Sequence, residues 1–598
     1  MAGRISVRNR RTSEFDIDLA FENRLEKAGQ TLKTGSKLSQ QLINLLRFML
    51  VFVFVSSLTV ALPTVPQKAG AQGKALGGKI PPLRRKALVP GISIAVLDNG
   101  RVAWRGCLGV KNAETGEPVK DDTVFEAASL SKPVFAYGVM KLVDLKKLDL
   151  DKPLAQLISE ADLNTAYPPT KGGDLRDKKI TPRMVLTHCT GFPNWFRGRP
   201  MNFLFDPGER FSYSGEAYTF LSVTVQAITG RSFNDFMREM VFEPLGMKNS
   251  SYVWQESYDK QFAGSHDILG HRTQRGKITV PLVGASLYTT AADYARFLVA
   301  LGSGEGLSRE TWQEMIRPQI AVRGRDGKGE INFYWGLGVG VNQTEKGKTL
   351  WHWGDNGDFN AYFEIFPGNK RGVVFFMNGA NAHAITPVIT REVMGLERPA
   401  IATAYFRYPT LDAPAMELAR AFLTGGMRQA TKTAIALMPG RSDWESTAGQ
   451  RFFYLARAAL SQGDFAGART AVELYSQHLP DNPQAMVMMA AIKIAEGDRA
   501  AMTDLLDKAL RSEPQLEGAI NSLGYALLGA GRVEEAIAIL DYNAGRFPKS
   551  ANCLDSLAEA WLKKGDRDKA VVFYRKALEI DPRLSSAIDA LKRLEVKK

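Results

Sequence analysis

Cysteine is scarce in this 598-residue chain: Cys107, Cys189 and Cys553 are the whole set, odd in number and far apart. They build neither a disulfide framework nor a zinc-ligand spacing. The six histidines are equally scattered, without a His-x-x-x-His pair beside a carboxylate, so no metal site and no cofactor is expected. Charge of one sign is also missing from most of the chain. The formal net charge is +14, but ten of those charges fall before Gly91 and the remainder is nearly neutral. A groove that tracks phosphates is therefore not expected, and nucleic acid is excluded as a partner.

Only one long apolar run occurs, FMLVFVFVSSLTVAL from Phe48 to Leu62, with Arg47 before it and Pro63 and Ala69-Gly70-Ala71 after it. It falls short of the ~20 residues of a spanning helix. The order of basic, apolar and small residues reads as an export signal, either cleaved or kept as an N-terminal membrane anchor. In both versions the rest of the chain is exported, periplasmic or facing the exterior.

Ile92 to Leu97 and Arg101 to Val110 read as strands joined through Asp98-Asn99-Gly100, a strong hairpin signal. Helical patterns follow from Pro133 to Arg317. A second strand-rich set lies at Trp335 to Val341, Ala361 to Phe366 and Gly372 to Met377. Strands at both ends of a helical middle predict one antiparallel sheet built from distant segments, flanked by helices with a helical subdomain, an α+β fold.

From Ala413 onward strand signals vanish. Gly463, Gly497, Gly531 and Gly565 are 34 residues apart, as are Pro480, Pro514, Pro548 and Pro582. This period resembles the tetratricopeptide repeat and implies an all-α helical-repeat solenoid. Stacked pairs bury a core that no pair buries alone. The solenoid offers either a concave surface for a protein or peptide partner or a stabilising appendage. The expected organisation is a leader over 1–75, an α+β domain over 76–398, a helical linker over 399–449 and the repeats over 450–598.

In FEAASLSKPVFAYGVMKLVD, Ser129 and Ser131 crowd Lys132. A Ser-x-x-Lys alone means little, since roughly two arise by chance in a chain this long. On a helix, residues three apart share a face, so Lys132 reaches Ser129 and is poorly placed for Ser131. Ser129 would then sit at a helix N-terminus, as a helix cap or as a nucleophile. Two further clusters follow: Tyr213-Ser214-Gly215 before an apolar helical stretch, and His352-Trp353-Gly354 at the head of a strand-rich segment.

In that order the three clusters resemble the active-site motifs of the penicillin-recognising serine hydrolases, most closely the class C β-lactamase-like group with its D,D-peptidase and esterase relatives. The blocks ITPRMVLTHCTGFP, FEPLGMKNSSY and VVFFMNG match as well, so the resemblance spans Gly91 to Asn381. It implies that Ser129 attacks an acyl carbonyl, that Lys132 and Tyr213 share the proton transfers, and that the backbone N–H groups of Ser129 and Asp355 hold the oxyanion. Gly354 would let the strand approach substrate, and Tyr213 would activate the deacylating water. His188 is expected to be structural, Glu243 to have no catalytic role, and Trp195, Trp351 and Trp353 to pack in the core rather than line a cleft.

Two departures narrow the substrate. His352 stands where relatives often carry Lys, and Gly215 where Asn often binds a substrate amide. Losing both should weaken recognition of penicillins and of terminal D-Ala-D-Ala carboxylates. The expected function is an exported hydrolase acting on an ester or amide, including peptide, acyl substrate. The alternatives are a D,D-peptidase, a β-lactamase, or a catalytically degenerate peptide-binding scaffold.

Overall fold

The central sheet has eight strands in the order β2-β1-β10-β9-β8-β7-β6-β5, every neighbouring pair antiparallel. Its strands are β1 (Gly91–Asp98), β2 (Arg101–Gly109), β5 (Ile320–Ala321), β6 (Phe333–Trp335), β7 (Gly340–Thr344), β8 (Gly347–Asp355), β9 (Asn360–Ile365) and β10 (Gly372–Met377). The chain's first hairpin lies at the edge and pairs inward with its last strand. A separate two-stranded pair joins β3 (Phe125–Glu126) to β4 (Tyr288–Thr289). The computed structural model describes residues 67–159, 175–195, 203–322, 333–402, 408–437, 450–582 and 584–595. The apolar run from Phe48 to Leu62 lies outside them. No described helix is long and apolar enough to cross a membrane.

Helices cover both faces, which explains why β9 and β10 are buried throughout. On one face Ala95, Leu97, Leu350, Phe363 and Phe376 pack with α2 (Ser131–Asp144), α4 (Glu216–Thr229) and α5 (Ala291–Ser303). On the other, Ile94, Val96, Trp351, Tyr362 and Phe375 pack with α1 (Gln67–Lys86) and α6 (Thr386–Met394). The split follows the two-residue alternation of a strand. A short helix, α3 (Pro182–Leu186), begins at Thr181, whose side chain accepts from the Met184 amide.

The Asn99-Gly100 turn is as expected, with both residues at positive φ, 49° and 73°. The run from Trp335 to Val341 is not one strand. It breaks between β6 and β7 at a turn in which Gly336 N donates to Val339 O and Gly338 takes a φ of 85°. His352-Trp353-Gly354 lies near the end of β8, and β9 and β10 follow it.

The C-terminal region is all helical. Four pairs follow one another: Gln450–Ser461 with Phe465–His478, Pro483–Ala495 with Arg499–Ser512, Glu517–Gly529 with Val533–Arg546, and Ala551–Lys564 with Arg567–Ile580. Ser585–Glu595 follows them. The glycine between the helices of each pair has positive φ in all four cases, which is why the period keeps glycine there. Packing is close: a Cβ at Gly524 would stand 2.5 Å from Leu540 side-chain carbons. Residues 68–598 form one compact unit. Leu269, from a loop of the sheet domain, is buried in the same apolar cluster as Leu418, Ala419 and Phe422 of the helical region.

Candidate active site

The segment leading into α2 fixes the first motif. Glu126 ends β3, Ala128 takes a positive φ of 49°, and the helix begins at Ser131 with Leu130 as its cap residue. Ser129 is therefore not the cap. Ala128 is a non-glycine residue in the left-handed region, a strained conformation that persists only where its surroundings hold it. Ser131, fully buried, supplies part of that hold: its Oγ donates to Ala128 O at 2.6 Å and accepts from Leu287 N at 3.0 Å.

Lys132 is completely buried, and its Nζ donates to Ser129 Oγ at 3.1 Å and to Gly284 O at 2.8 Å. Burial brings its amine down to about 7 from 10.5. A fall of that size is roughly 5 kcal/mol against the ammonium form. Near neutral pH a large share of Lys132 is thus an amine beside a serine hydroxyl, the condition for general-base activation. The Tyr213 ring lies under it, with Nζ 4.7 Å from the ring centroid.

Tyr213 is bracketed by His188, which has a φ of 58°. The main-chain oxygen of His188 accepts from Ser212 N at 2.8 Å, its Nδ1 accepts from Ser214 N at 3.0 Å, and its ring lies 4.3 Å from that of Tyr213. Burial, and then the Lys132 charge, push the His188 imidazole well below its ordinary range, so it is neutral.

His352 is fully buried on β8 and likewise neutral, held down first by burial and then by Lys132. Its Nδ1 lies 2.7 Å from Trp353 O, which places the ring proton on Nδ1 and leaves Nε2 as an acceptor. Trp351 is core, whereas Trp353 is half-buried with its ring 4.7 Å from that of Tyr213. A Cβ at Gly354 would lie 2.4 Å from Ala127 O, so β8 touches the segment leading to Ser129 directly. Asp355 turns its carboxylate to Gly357 N, Asn360 Nδ2 and Tyr408 Oη. Glu243 pairs with Arg238.

Several residues at the site carry no motif signal. His383 Nε2 lies 3.0 Å from Gly354 O and so holds the third motif from behind. Gly284 offers its carbonyl, and a Cβ there would stand 3.0 Å from Lys132 Nζ. Beside the segment leading to Ser129, Arg275 pairs with Glu126 at 3.5 Å and donates from Nε to Asp358 Oδ1 at 2.9 Å. Asn356 Nδ2 donates to Glu126 at 2.7 Å. Burial raises the Glu126 carboxyl above its ordinary value despite Arg275.

The arrangement joins a serine, a buried amine, a tyrosine and a glycine-bearing edge of the sheet. A family model for Beta-lactamase matches residues 78–393, more than half of the chain. The chain belongs to the beta-lactamase family. This beta-lactamase-family domain is fused to a tetratricopeptide region, for which a repeat model matches residues 551–584. Penicillin-binding protein 4 of Amycolatopsis lactamdurans is 25% identical over 56% of this chain and 91% of its own. Esterase EstB of Burkholderia gladioli is 26% identical over 43% of this chain and 76% of its own. The solved octameric penicillin-binding protein homologue from Pyrococcus abyssi has a TM-score of 0.44 at 21% identity, covering 59% of this chain and 81% of that one.

Proposed function

We propose that this chain is an exported serine hydrolase that cleaves an ester or amide through an acyl-enzyme on Ser129. The observation that carries the reading is the 3.1 Å contact between Ser129 Oγ and the buried Lys132 amine. In the first half-reaction Lys132 takes the hydroxyl proton as Oγ bonds to the carbonyl carbon and the carbonyl pair moves onto oxygen. The backbone N–H groups of Ser129 and Asp355 hold that oxyanion. Its collapse expels the alcohol or amine, which leaves with the proton returned from Lys132 by way of Tyr213. Water then attacks the acyl carbon while its proton passes through Tyr213 to the Lys132 amine, and the acid departs as Lys132 returns that proton to Ser129 Oγ.

An uncharged His352 and a second motif ending on Gly215 favour esters over β-lactams and terminal D-Ala-D-Ala. The relative named an esterase agrees with that preference, and the relative named a penicillin-binding protein keeps the D,D-peptidase reading as the alternative. The repeats over 450–598, joined by a linker over 399–449 to a hydrolase domain over 76–398, would hold a protein or peptide partner on their concave side.

A fluorophosphonate probe tests the reading. Labelling is expected in the native chain and absent in Ser129→Ala. Equal labelling of that variant would refute the assignment of the nucleophile, and absence of labelling in the native chain would favour a degenerate scaffold. Rapid turnover of a chromogenic cephalosporin, outpacing short-chain aryl esters, would overturn the substrate preference.

A further inference from the structure

Gly215 ends the second motif, and the space its side chain would need is already taken. A Cβ there would stand 2.7, 2.9 and 3.0 Å from three atoms of the Trp195 six-membered ring. The residue before the indole is tied to the same glycine. Asn194 accepts from Gly215 N through its main-chain oxygen at 3.0 Å and its Oδ1 at 2.9 Å, and from Glu216 N through the main-chain oxygen at 2.9 Å. Gly215 gives α4 no side-chain cap, so Asn194 satisfies the first amides of that helix from 21 residues away. The Trp195 ring lies beside the pair, its centroid 5.6 Å from Lys132 Nζ. It is half-buried, so part of the side chain stays open. On the turn that supplies the Gly284 carbonyl, Leu282 is 49% exposed. The surroundings of the Ser129–Lys132 pair thus offer apolar surface where a second-motif side chain would offer a hydrogen-bonding group.

Resting on the Ser129 hydrolase reading, the geometry points to Trp195 as the residue that selects the acyl group: the site takes uncharged esters or amides that set an apolar or aromatic acyl face on the indole, and it discriminates against acyl groups that carry an amide beside the scissile carbonyl. Gly215 and Trp195 form one unit, since the glycine exists to admit the ring.

The test compares kcat/KM for p-nitrophenyl butyrate and for the p-nitrophenyl ester of N-acetylglycine in the full chain. The native chain is expected to favour butyrate by at least about tenfold, the scale on which an apolar pocket discriminates. Trp195→Ala should bring the two substrates to within about threefold, while Trp195→Phe, which keeps an aromatic face, retains the preference. Gly215→Ala should slow both substrates by about tenfold or more, and adding Trp195→Ala should recover most of that loss, because the clash and the ring disappear together. An unchanged substrate ratio in Trp195→Ala, or additive losses in the double variant, would overturn the assignment. Fluorophosphonate labelling runs alongside: if the native chain shows no Ser129-dependent adduct, the hydrolase reading itself fails, whereas labelling with an unchanged ratio condemns Trp195 alone.

Discussion

Gly354 and Ala127 meet so closely that a Cβ on the glycine would stand 2.4 Å from the alanine's carbonyl oxygen. The same Cβ would come within 3.2 Å of the Ala128 side chain, and Ala128 is the strained residue immediately before Ser129. Gly354→Ala must therefore push β8 away from the nucleophile segment or rotate that segment. Either movement separates the two backbone N–H groups proposed to hold the oxyanion. Fluorophosphonate labelling should slow by about 100-fold, the cost of losing one oxyanion donor. A variant labelled at the native rate would show that this contact does not set the site.

Lys132 gives a pH signature of definite sign. Its amine is brought down to about 7 by burial, and in the proposed mechanism the base form is the active one. Activity should therefore rise with pH through an apparent midpoint near 7 and level off above it. Stability follows from the same group. The folded chain resists protonation at Lys132 and the unfolded chain does not, so its destabilising contribution is full below pH 7. That contribution fades as pH rises toward the ordinary value of 10.5. Lys132→Met should lack activity yet unfold at higher temperature than the native chain at pH 6, with the gap narrowing by pH 9. A pH-independent gap in thermal melts would contradict the buried amine.

Ser131 is expected to separate from Ser129 in every assay. Its hydroxyl satisfies Ala128 O and Leu287 N inside the core, and neither bond points at substrate. Ser131→Ala leaves a buried N–H unpaired, a loss of about 1–3 kcal/mol. Denaturant unfolding should register it while labelling largely persists. Loss of labelling in a fully folded Ser131→Ala would reverse the register of the motif.

The parts of this molecule legible in the sequence are those fixed by local spacing. The Asn99-Gly100 turn, the 34-residue glycine period and the three-residue step from Ser129 to Lys132 each express one short-range geometry. What escaped depends on contacts between distant segments or on backbone atoms. Lys132 is held by the carbonyl of Gly284, 152 residues away, and a carbonyl has no sequence signature. Asn194 caps a helix that begins 22 residues later, so nothing near Trp195 marks it as part of the site. The stretch from Trp335 to Val341 alternates apolar residues with Gly336, Gly338 and Gly340, a two-residue rhythm that reads as a strand and hides the turn that Gly338 makes by adopting positive φ.

Beside the segment leading to Ser129, Arg275 is the one cation set against Glu126 among the described ion pairs. Glu126 lies three residues before Ser129 and is 1% exposed, and Asn356, which also binds it, directly follows Asp355. The pair thus ties the nucleophile segment to the end of β8. Arg275→Met would leave a buried carboxyl without its cation, a loss of about 3 kcal/mol or more when that carboxyl is ionised. Burial already holds Glu126 above its ordinary value, and Arg275 is the main force opposing it. Removing the arginine raises the carboxyl further. A carboxyl raised in the folded chain loses stability as pH climbs, so the deficit of Arg275→Met should be larger at pH 8 than at pH 5. Adding Glu126→Gln should restore most of the melting temperature and flatten the pH dependence, because the neutral amide still accepts from Asn356. If Arg275→Met melts with an equal deficit at both pH values, Arg275 acts through its pair with Asp358 or its packing on Phe359, over whose ring it lies, and not by neutralising Glu126.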